Sequence, residues 1–337
     1  MLSVNKKNCG VLRMKAIIYT KVGSPDVLII QDTKKPVPKA NQVLVKVKTS
    51  AITNLEYMRF GGKALPHIFN IATGATGKPL GLEIAGVVEE VGKSVTSFKK
   101  GDEVFGLSAG MLGGWAEYSV AKEKELSLKP SNLSFEQAGA IPVGGITALG
   151  AIQAAKIQQG QEVLIYGASG SVGQYAVQLA KAYGATVTGV CSTRNLEMAR
   201  SIGTDFVIDY KKEDFTQKGK TYDKIIGVNG YNSLGTYKKL LKKGGSYVVV
   251  GGIKQAMLGV LGGYFYFLFS SKKFGAAAYP MQPKKQSLST LKRYAEDNKI
   301  NPFIDKVYSI HEVADAIKYI VNEHAQGKVV ISLDFDQ

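Results

Sequence analysis

The sequence predicts an α/β protein in two parts: a β-rich N-terminal region, then a parallel sheet with crossover helices. Three observations carry that expectation. Residues 14–135 fall into short apolar runs separated by glycine-containing turns. After Gly144 the rhythm changes to strand, helix, strand, a spacing that calls for parallel pairing. A glycine-rich loop, Gly167-Ala168-Ser169-Gly170-Ser171-Val172-Gly173, stands at the first strand–helix junction of the second part.

The elements follow in order. Met14-Lys15-Ala16-Ile17-Ile18-Tyr19 reads as the first strand, and residues 1–13 as a disordered extension. Val43–Lys48 has partial period-2 alternation, and Ile84–Gly92 is a strand-like run ending in glycine. Gly101-Asp102-Glu103-Val104-Phe105-Gly106 reads as a turn feeding a short strand. Ser134 with Gln137 forms a capping-box pattern that opens a helix. In the second part, strands are expected at Gln161–Tyr166, Thr186–Val190, Asp205–Ile208, Lys224–Val228 and Tyr247–Val250, with a helix from about Ser171 to Ala182. Ser309-x-x-Glu312 is a second capping box, after which Val313, Ala316, Ile317 and Ile320 make one apolar helical face. The run Lys328-Val329-Val330-Ile331 is the closing strand.

Composition narrows the functional classes. The 337 residues are 45% apolar and 21% charged, the balance of a folded globular chain. Cys9 and Cys191 allow at most one disulfide, and two cysteines cannot build a four-cysteine zinc lobe. The formal charge of +16 raises nucleic acid, an anionic membrane and an anionic cofactor as partners. Residues 1–13 carry Lys6, Lys7 and Arg13 with no apolar run behind them, unlike a secretory signal. The most apolar stretch, Met257–Phe269, has 13 residues, where a membrane-spanning helix needs about 20. It reads as a buried or lid segment. With Lys272 and Lys273 close behind it, an interfacial anchor is the alternative.

The loop Gly167–Gly173 has its glycines spaced G-x-x-G-x-x-G. A turn without side chains lets backbone amides reach a pyrophosphate, and the following helix N-terminus adds partial positive charge. Gly173 allows close helix–strand packing. The expected second strand ends in Cys191-Ser192-Thr193-Arg194, with no carboxylate for a ribose 2′-hydroxyl and three donors, Ser192, Thr193 and Arg194, for a 2′-phosphate. That pattern favours NADPH over NADH. The structural alternative is that Arg194 only caps the next helix.

Taken together, these motifs resemble the zinc-independent, quinone-oxidoreductase-like branch of the medium-chain dehydrogenase/reductase superfamily, from Met14 to about Ile331. Gly81-Leu82-Glu83-Ile84-Ala85-Gly86-Val87-Val88 resembles its G-x-E/D-x-x-G-x-V signature, and Gly101-Asp102-Glu103-Val104 its GD-x-V turn. Gly114-Trp115-Ala116-Glu117-Tyr118 resembles its G-x-x-A-E-Y element, with the glycine one residue closer. Pro142 with Gly145-Ile146-Thr147-Ala148, and Gly327-Lys328-Val329-Val330, resemble its P-x-x-x-x-T-A and GK-V-V segments.

The resemblance implies a GroES-like β-rich catalytic domain over residues 14–137 and 303–337. It implies a Rossmann doubly wound parallel-sheet domain over residues 138–302, with the active site in the cleft between the two. It implies that Thr147 contacts the nicotinamide side, that Ser169–Val172 hold the pyrophosphate, and that Tyr210 flanks the 2′-phosphate. Val250, Gly251 and Gly252 end a strand at the carboxyl edge where cofactors bind. Relatives carry an N-P-x-D-like motif at Thr53-Asn54-Leu55-Glu56. Thr53 and Glu56 fall at its Asn and Asp, and a shift of one residue would make Asn54 the match. Thr53, Asn54 and Tyr57 are therefore the catalytic candidates, Tyr57 as an acid or as a packed aromatic.

The departures carry mechanism. Zinc alcohol dehydrogenases of the superfamily place a histidine ligand where this chain has Leu82, and neither cysteine lies where a ligand is needed. His67, His311 and His324 are isolated and read as surface or cap residues. The expected activity is metal-free hydride transfer from NADPH to a quinone or an α,β-unsaturated carbonyl. The alternative is an NADPH-regulated binding protein whose basic surface holds RNA or an anionic membrane, although no aromatic–basic RNA motif is present. The expected location is cytoplasmic, with peripheral contact to an anionic membrane as a further expectation. The fold-level default is a homodimer.

Overall fold

A computed structural model describes residues 12–61, 76–217, 219–228, 232–251, 262–263, 265–268, 270–277, 282–323 and 325–336. Cys9, His67, Gly252, His324 and most of Met257–Phe269 lie outside the described residues. The chain divides into two compact units. One is drawn from Met1–Lys129, Val307–Glu323 and Val330–Gln337, the other from Pro130–Lys306 and His324–Val329.

The first unit begins with an antiparallel pair, β1 (Arg13–Tyr19) and β2 (Leu28–Lys34). Then come β3 (Gln42–Ala51), α1 (Asn54–Phe60), β4 (Glu83–Val91), β5 (Glu103–Leu107), β6 (Tyr118–Lys122) and β7 (Leu126–Leu128). Strand β3 extends three residues past the alternating run because Thr49, Ser50 and Ala51 are also buried. Its ladder with β4 carries two register shifts. Trp115 is fully buried, and its amide donates to the Leu80 carbonyl at 2.8 Å.

The second unit holds α2 (Phe135–Ala140), α3 (Pro142–Ala155), β8 (Glu162–Tyr166), α4 (Gly173–Ala182), β9 (Thr186–Cys191), α5 (Leu196–Ser201), β10 (Phe206–Asp209), β11 (Tyr222–Val228), α6 (Leu234–Leu240), β12 (Leu241–Val250), β13 (Lys273–Ala277) and α7 (Lys284–Glu296). Six parallel strands pair in the order β10-β9-β8-β11-β12-β13. The order reverses at β8, so the loop after β8 opens at a topological switch point, where ligands bind in such sheets. Helix α3 is buried along most of its length. Ser134 and Gln137 form the expected capping box at the start of α2. Helix α4 starts at Gly173, two residues later than the sequence suggests, because residues 167–172 are held in the turn.

The chain closes with β14 (Ile304–Ser309), α8 (Val313–Glu323) and β15 (Lys328–Ser332). These strands extend the sheet of the first unit, giving the order β14-β15-β3-β4-β5-β7 with β6 paired to β3. Ser309 and Glu312 form the second capping box, and Val313, Ala316 and Ile317 are the buried positions of the apolar face of α8. Among the described residues, no helix is long and apolar enough to cross a membrane.

Candidate functional site

The loop between β8 and α4 is built by backbone geometry. Gly167 has φ +77°, a left-handed value that disfavours any side chain. The amides of Gly167 and Ala168 both donate to the Val190 carbonyl, at 3.0 and 3.1 Å, which ties the loop to the end of β9. A Cβ on Gly173 would overlap the Gly167 carbonyl oxygen, so only glycine lets the helix start this close to the turn. Above Gly170 the space is open: a Cβ there would meet nothing nearer than the Gly167 carbonyl oxygen at 3.5 Å.

The loop leaves a set of donors uncommitted. The Gly170 amide closes the turn onto the Gly167 carbonyl at 3.2 Å, and the Gln174 amide donates to Gly170 at 3.0 Å. The amides of Ser169, Ser171, Val172 and Gly173 donate to no described acceptor. Four unsatisfied N–H groups at a helix N-terminus fit an anionic pyrophosphate.

Ser169 is 6% exposed, and Asn195 Nδ2 donates to its Oγ at 2.8 Å, which leaves the Ser169 proton to be given elsewhere. Asn195 is itself 7% exposed, with Oδ1 bonded to nothing described. The Gly327 amide donates to the Ser169 carbonyl at 2.8 Å, and Gln326 Nε2 to the Arg194 carbonyl at 3.0 Å. Gln174, buried in α4, exchanges two hydrogen bonds with the backbone of Phe303.

At the end of β9, Ser192 is half-buried, while Thr193 and Arg194 are exposed and begin a short 3-10 turn. The structure corrects one expectation here. Thr193 does not present a spare proton, because its Oγ1 donates to Asp209 Oδ2 at 2.7 Å. Parallel pairing of β10 with β9 places Asp209 opposite Cys191, so a carboxylate does stand beside this strand end. Sequence reasoning missed it because the residue comes from the next strand. The Thr193 hydroxyl holds the Asp209 carboxyl below its ordinary range, helped by the Lys211 amide and the charges of Lys212 and Lys211. Burial, with the Asp209 charge beside it, pushes the Cys191 thiol up to about 11. Tyr210 follows, 43% exposed, its ring stacked on Tyr166 at 6.2 Å.

Thr147 lies buried in α3, its Oγ1 donating to the Val143 carbonyl at 2.7 Å. Val250 is the last residue of β12, and Gly251 follows, exposed, at the carboxyl edge of the sheet.

In the first unit, Thr53 is the N-cap of α1 and Glu56 its third residue, together a complete capping box. Glu56 is 2% exposed. Its Oε2 accepts from the Thr53 amide at 2.8 Å and from the Thr53 hydroxyl, and its Oε1 accepts from the Leu82 amide at 3.1 Å. Asn54 is exposed at the first helical position. Tyr57 is half-buried, edge-on to Phe60 at 5.9 Å. Thr53, Asn54 and Tyr57 thus share one helical turn, fixed by Glu56 to the Gly81-Leu82-Glu83 segment. The T-x-x-E pattern of a capping box was the signal in the sequence that could have fixed their alignment.

Leu82 is 2% exposed and offers no ligand atom. Among the described residues, no group of three or more His, Cys, Asp or Glu side chains could hold a metal ion.

Two family models match the chain. One, described as an alcohol dehydrogenase GroES-like domain, covers residues 39–131; the other, described as a zinc-binding dehydrogenase, covers residues 202–331. The 2-methylene-furan-3-one reductase of Solanum lycopersicum is 35% identical over 94% of this chain and 79% of its own. The chloroplastic NADPH-dependent alkenal/one oxidoreductase of Arabidopsis thaliana is 34% identical over the same shares, 94% and 79%. A quinone oxidoreductase of Sus scrofa is 32% identical over 95% of this chain and 98% of its own. Among solved structures, the quinone oxidoreductase from Coxiella burnetii superposes with a TM-score of 0.85 at 28% identity, covering 96% of this chain and 100% of that one.

Proposed function

Since the chain belongs to the zinc-independent, quinone-oxidoreductase-like branch of the medium-chain dehydrogenase/reductase superfamily, we propose that it is an NADPH-dependent oxidoreductase acting on quinones or α,β-unsaturated carbonyls. The observation that carries this reading is the row of uncommitted amides at Ser169, Ser171, Val172 and Gly173, at the switch point of the parallel sheet.

Bound NADPH supplies a hydride. The protein's residues then have distinct tasks. The loop amides and the Ser169 hydroxyl bind the pyrophosphate. Arg194 and Ser192 donate to the 2′-phosphate, Thr193 lines it with an oxygen, and the exposed face of Tyr210 flanks it. Thr147, its proton already given to Val143, accepts from a carboxamide N–H of the nicotinamide. Val250 and Gly251 edge the same end of the sheet, and Gly252 keeps its assignment from the sequence. With Leu82 in place of a ligand, hydrogen-bond donors must polarise the acceptor. Asn54 and Tyr57 are the groups we assign to that task, with Tyr57 giving the proton and Thr53 holding the turn.

The names of the Solanum and Arabidopsis relatives support an enone acceptor, and that of the Sus scrofa relative a quinone. Anaerobic mixing with NADPH and a panel of quinones and enones tests the reading. Acceptor-dependent loss of NADPH absorbance is expected; no loss with any acceptor contradicts it.

A peripheral membrane contact is a second reading that one observation favours. Phe265 and Leu268 are 76% and 63% exposed, near Lys238, whose Nζ donates to the Tyr266 carbonyl at 3.0 Å. Phe265→Ser with Leu268→Ser should release the protein from anionic vesicles while NADPH binding is kept. Unchanged vesicle affinity contradicts the contact.

A further inference from the structure

Lys224, Ser246 and Lys273 are register partners on the adjacent parallel strands β11, β12 and β13. Paired positions in a parallel sheet project from one face. That face is covered by α3, since Ser246 Oγ donates to the Ala155 carbonyl at 3.2 Å. Lys156 follows at the C-cap of α3 in left-handed backbone, φ 53° and ψ 53°. These residues, with Val248 and Phe274, line a cavity of about 140 Å³.

None of the three ammonium groups bonds to or pairs with a described residue. Asp223, beside Lys224, is committed elsewhere: its Oδ2 accepts from the Glu162 amide at 2.9 Å and from Lys242 at 3.0 Å. Burial holds the Lys224 ammonium below its ordinary range. Repulsion from Lys273 and Lys156 adds to this, and Asp223 relieves it in part. Lys224 is half-buried while Lys156 and Lys273 are exposed, so three ammonium groups gather at the mouth of one small cavity with Asp223 already bonded elsewhere, and an anion there would relieve their mutual repulsion.

The cavity is separate from the dinucleotide loop. Lys224 pairs with Val163 near the start of β8, whereas the loop follows Tyr166 at its end. The two lie at opposite edges of the sheet.

We propose that Lys156, Lys224 and Lys273 form a second anion site that binds a phosphate group, free or as a small phosphate ester. Lysines bind phosphate as mobile point charges, and three of them more than offset the two charges of its dianion. Ser246, its proton given to Ala155, lines the site without donating.

Calorimetric titration of the full chain, saturated with NADP+ and at ionic strength held constant with chloride, tests this. Inorganic phosphate and glycerol 3-phosphate are the two probes. Saturable binding of either is expected, weakened about tenfold or more in Lys224→Gln and in Lys273→Gln, with NADPH affinity unchanged. The tighter probe identifies the source, free ion or ester. Lys156→Asn keeps a residue tolerant of left-handed backbone and gives the same comparison if the strand variants fail to fold. No saturable binding of either probe, or binding unmoved in the folded variants, overturns the proposal.

Discussion

Thr193 Oγ1 donates to Asp209 Oδ2 across 2.7 Å, joining the end of β9 to the end of β10. The contact places a buried carboxylate behind the strand end assigned to the 2′-phosphate. At the proposed phosphate position Asp209 would oppose an anion while it holds the Thr193 hydroxyl in place. Asp209→Asn keeps an acceptor for Thr193 and removes the charge. It should tighten NADPH a few-fold relative to NADH. Arg194→Ala should weaken NADPH by about tenfold or more with NADH little changed. Fluorescence titration of both cofactors checks the pair. A parallel change in NADH for either variant would contradict the assignment.

Gly173→Ala forces a Cβ onto the Gly167 carbonyl oxygen. The loop must then open or the helix must shift. We expect a loss of roughly 1–3 kcal/mol in stability and a larger, selective loss of cofactor binding, read by thermal melts with and without NADPH. Full retention of the NADPH-induced shift in melting temperature would show that the loop does not hold the cofactor.

Glu56 ties α1 to the Leu82 amide through a buried carboxylate. Glu56→Ala leaves the Thr53 and Leu82 amides without their acceptor and should destabilise by about 2–4 kcal/mol. Glu56→Gln keeps one acceptor oxygen and should cost less. Chemical denaturation of the two variants checks the order.

Lys242 Nζ bridges Glu162 at 2.9 Å and Asp223 at 3.0 Å. Its hydrogen bond holds the Glu162 carboxyl below its ordinary value; the Glu162 amide and Lys242 do so for Asp223 against the penalty of burial. Carboxyls lowered in the folded state contribute stability above their unfolded values, and that contribution is lost as pH falls through the folded ones. Lys242→Met should therefore lower the melting temperature at pH 7, and the gap from the unsubstituted protein should close towards pH 3. A gap independent of pH would contradict this.

Cys191 is buried, with its thiol pushed up to about 11. In a Cys9→Ser background the native protein should react slowly with a thiol reagent at pH 8, and quickly once unfolded. Fast native labelling would contradict the buried setting.

Local signals were legible in the sequence because they depend on neighbours along the chain. The strand–helix rhythm after Gly144, the G-x-x-G-x-x-G loop and the capping boxes at Ser134 and Ser309 are of this kind. What lay hidden depends on strand pairing. Asp209 reaches Thr193 only because β10 pairs with β9 in parallel, and Asn195 reaches Ser169 only because the loop folds back to Val190. The lysine cavity is likewise invisible along the chain, since Lys156, Lys224 and Lys273 meet only through sheet register and the end of α3. The loop at Thr53 was ambiguous for another reason: a one-residue shift changes its alignment, and only the bonds of Glu56 to Thr53 and Leu82 fix which residue caps the helix.

Hydride transfer itself is tested most directly by isotope. NADPH carrying deuterium at the transferable position is mixed with a reducible enone and the protein without oxygen, and the product is read by NMR. One deuterium is expected on the carbon β to the carbonyl. A reduced product without that deuterium, or no reduction of any enone or quinone offered, would contradict it.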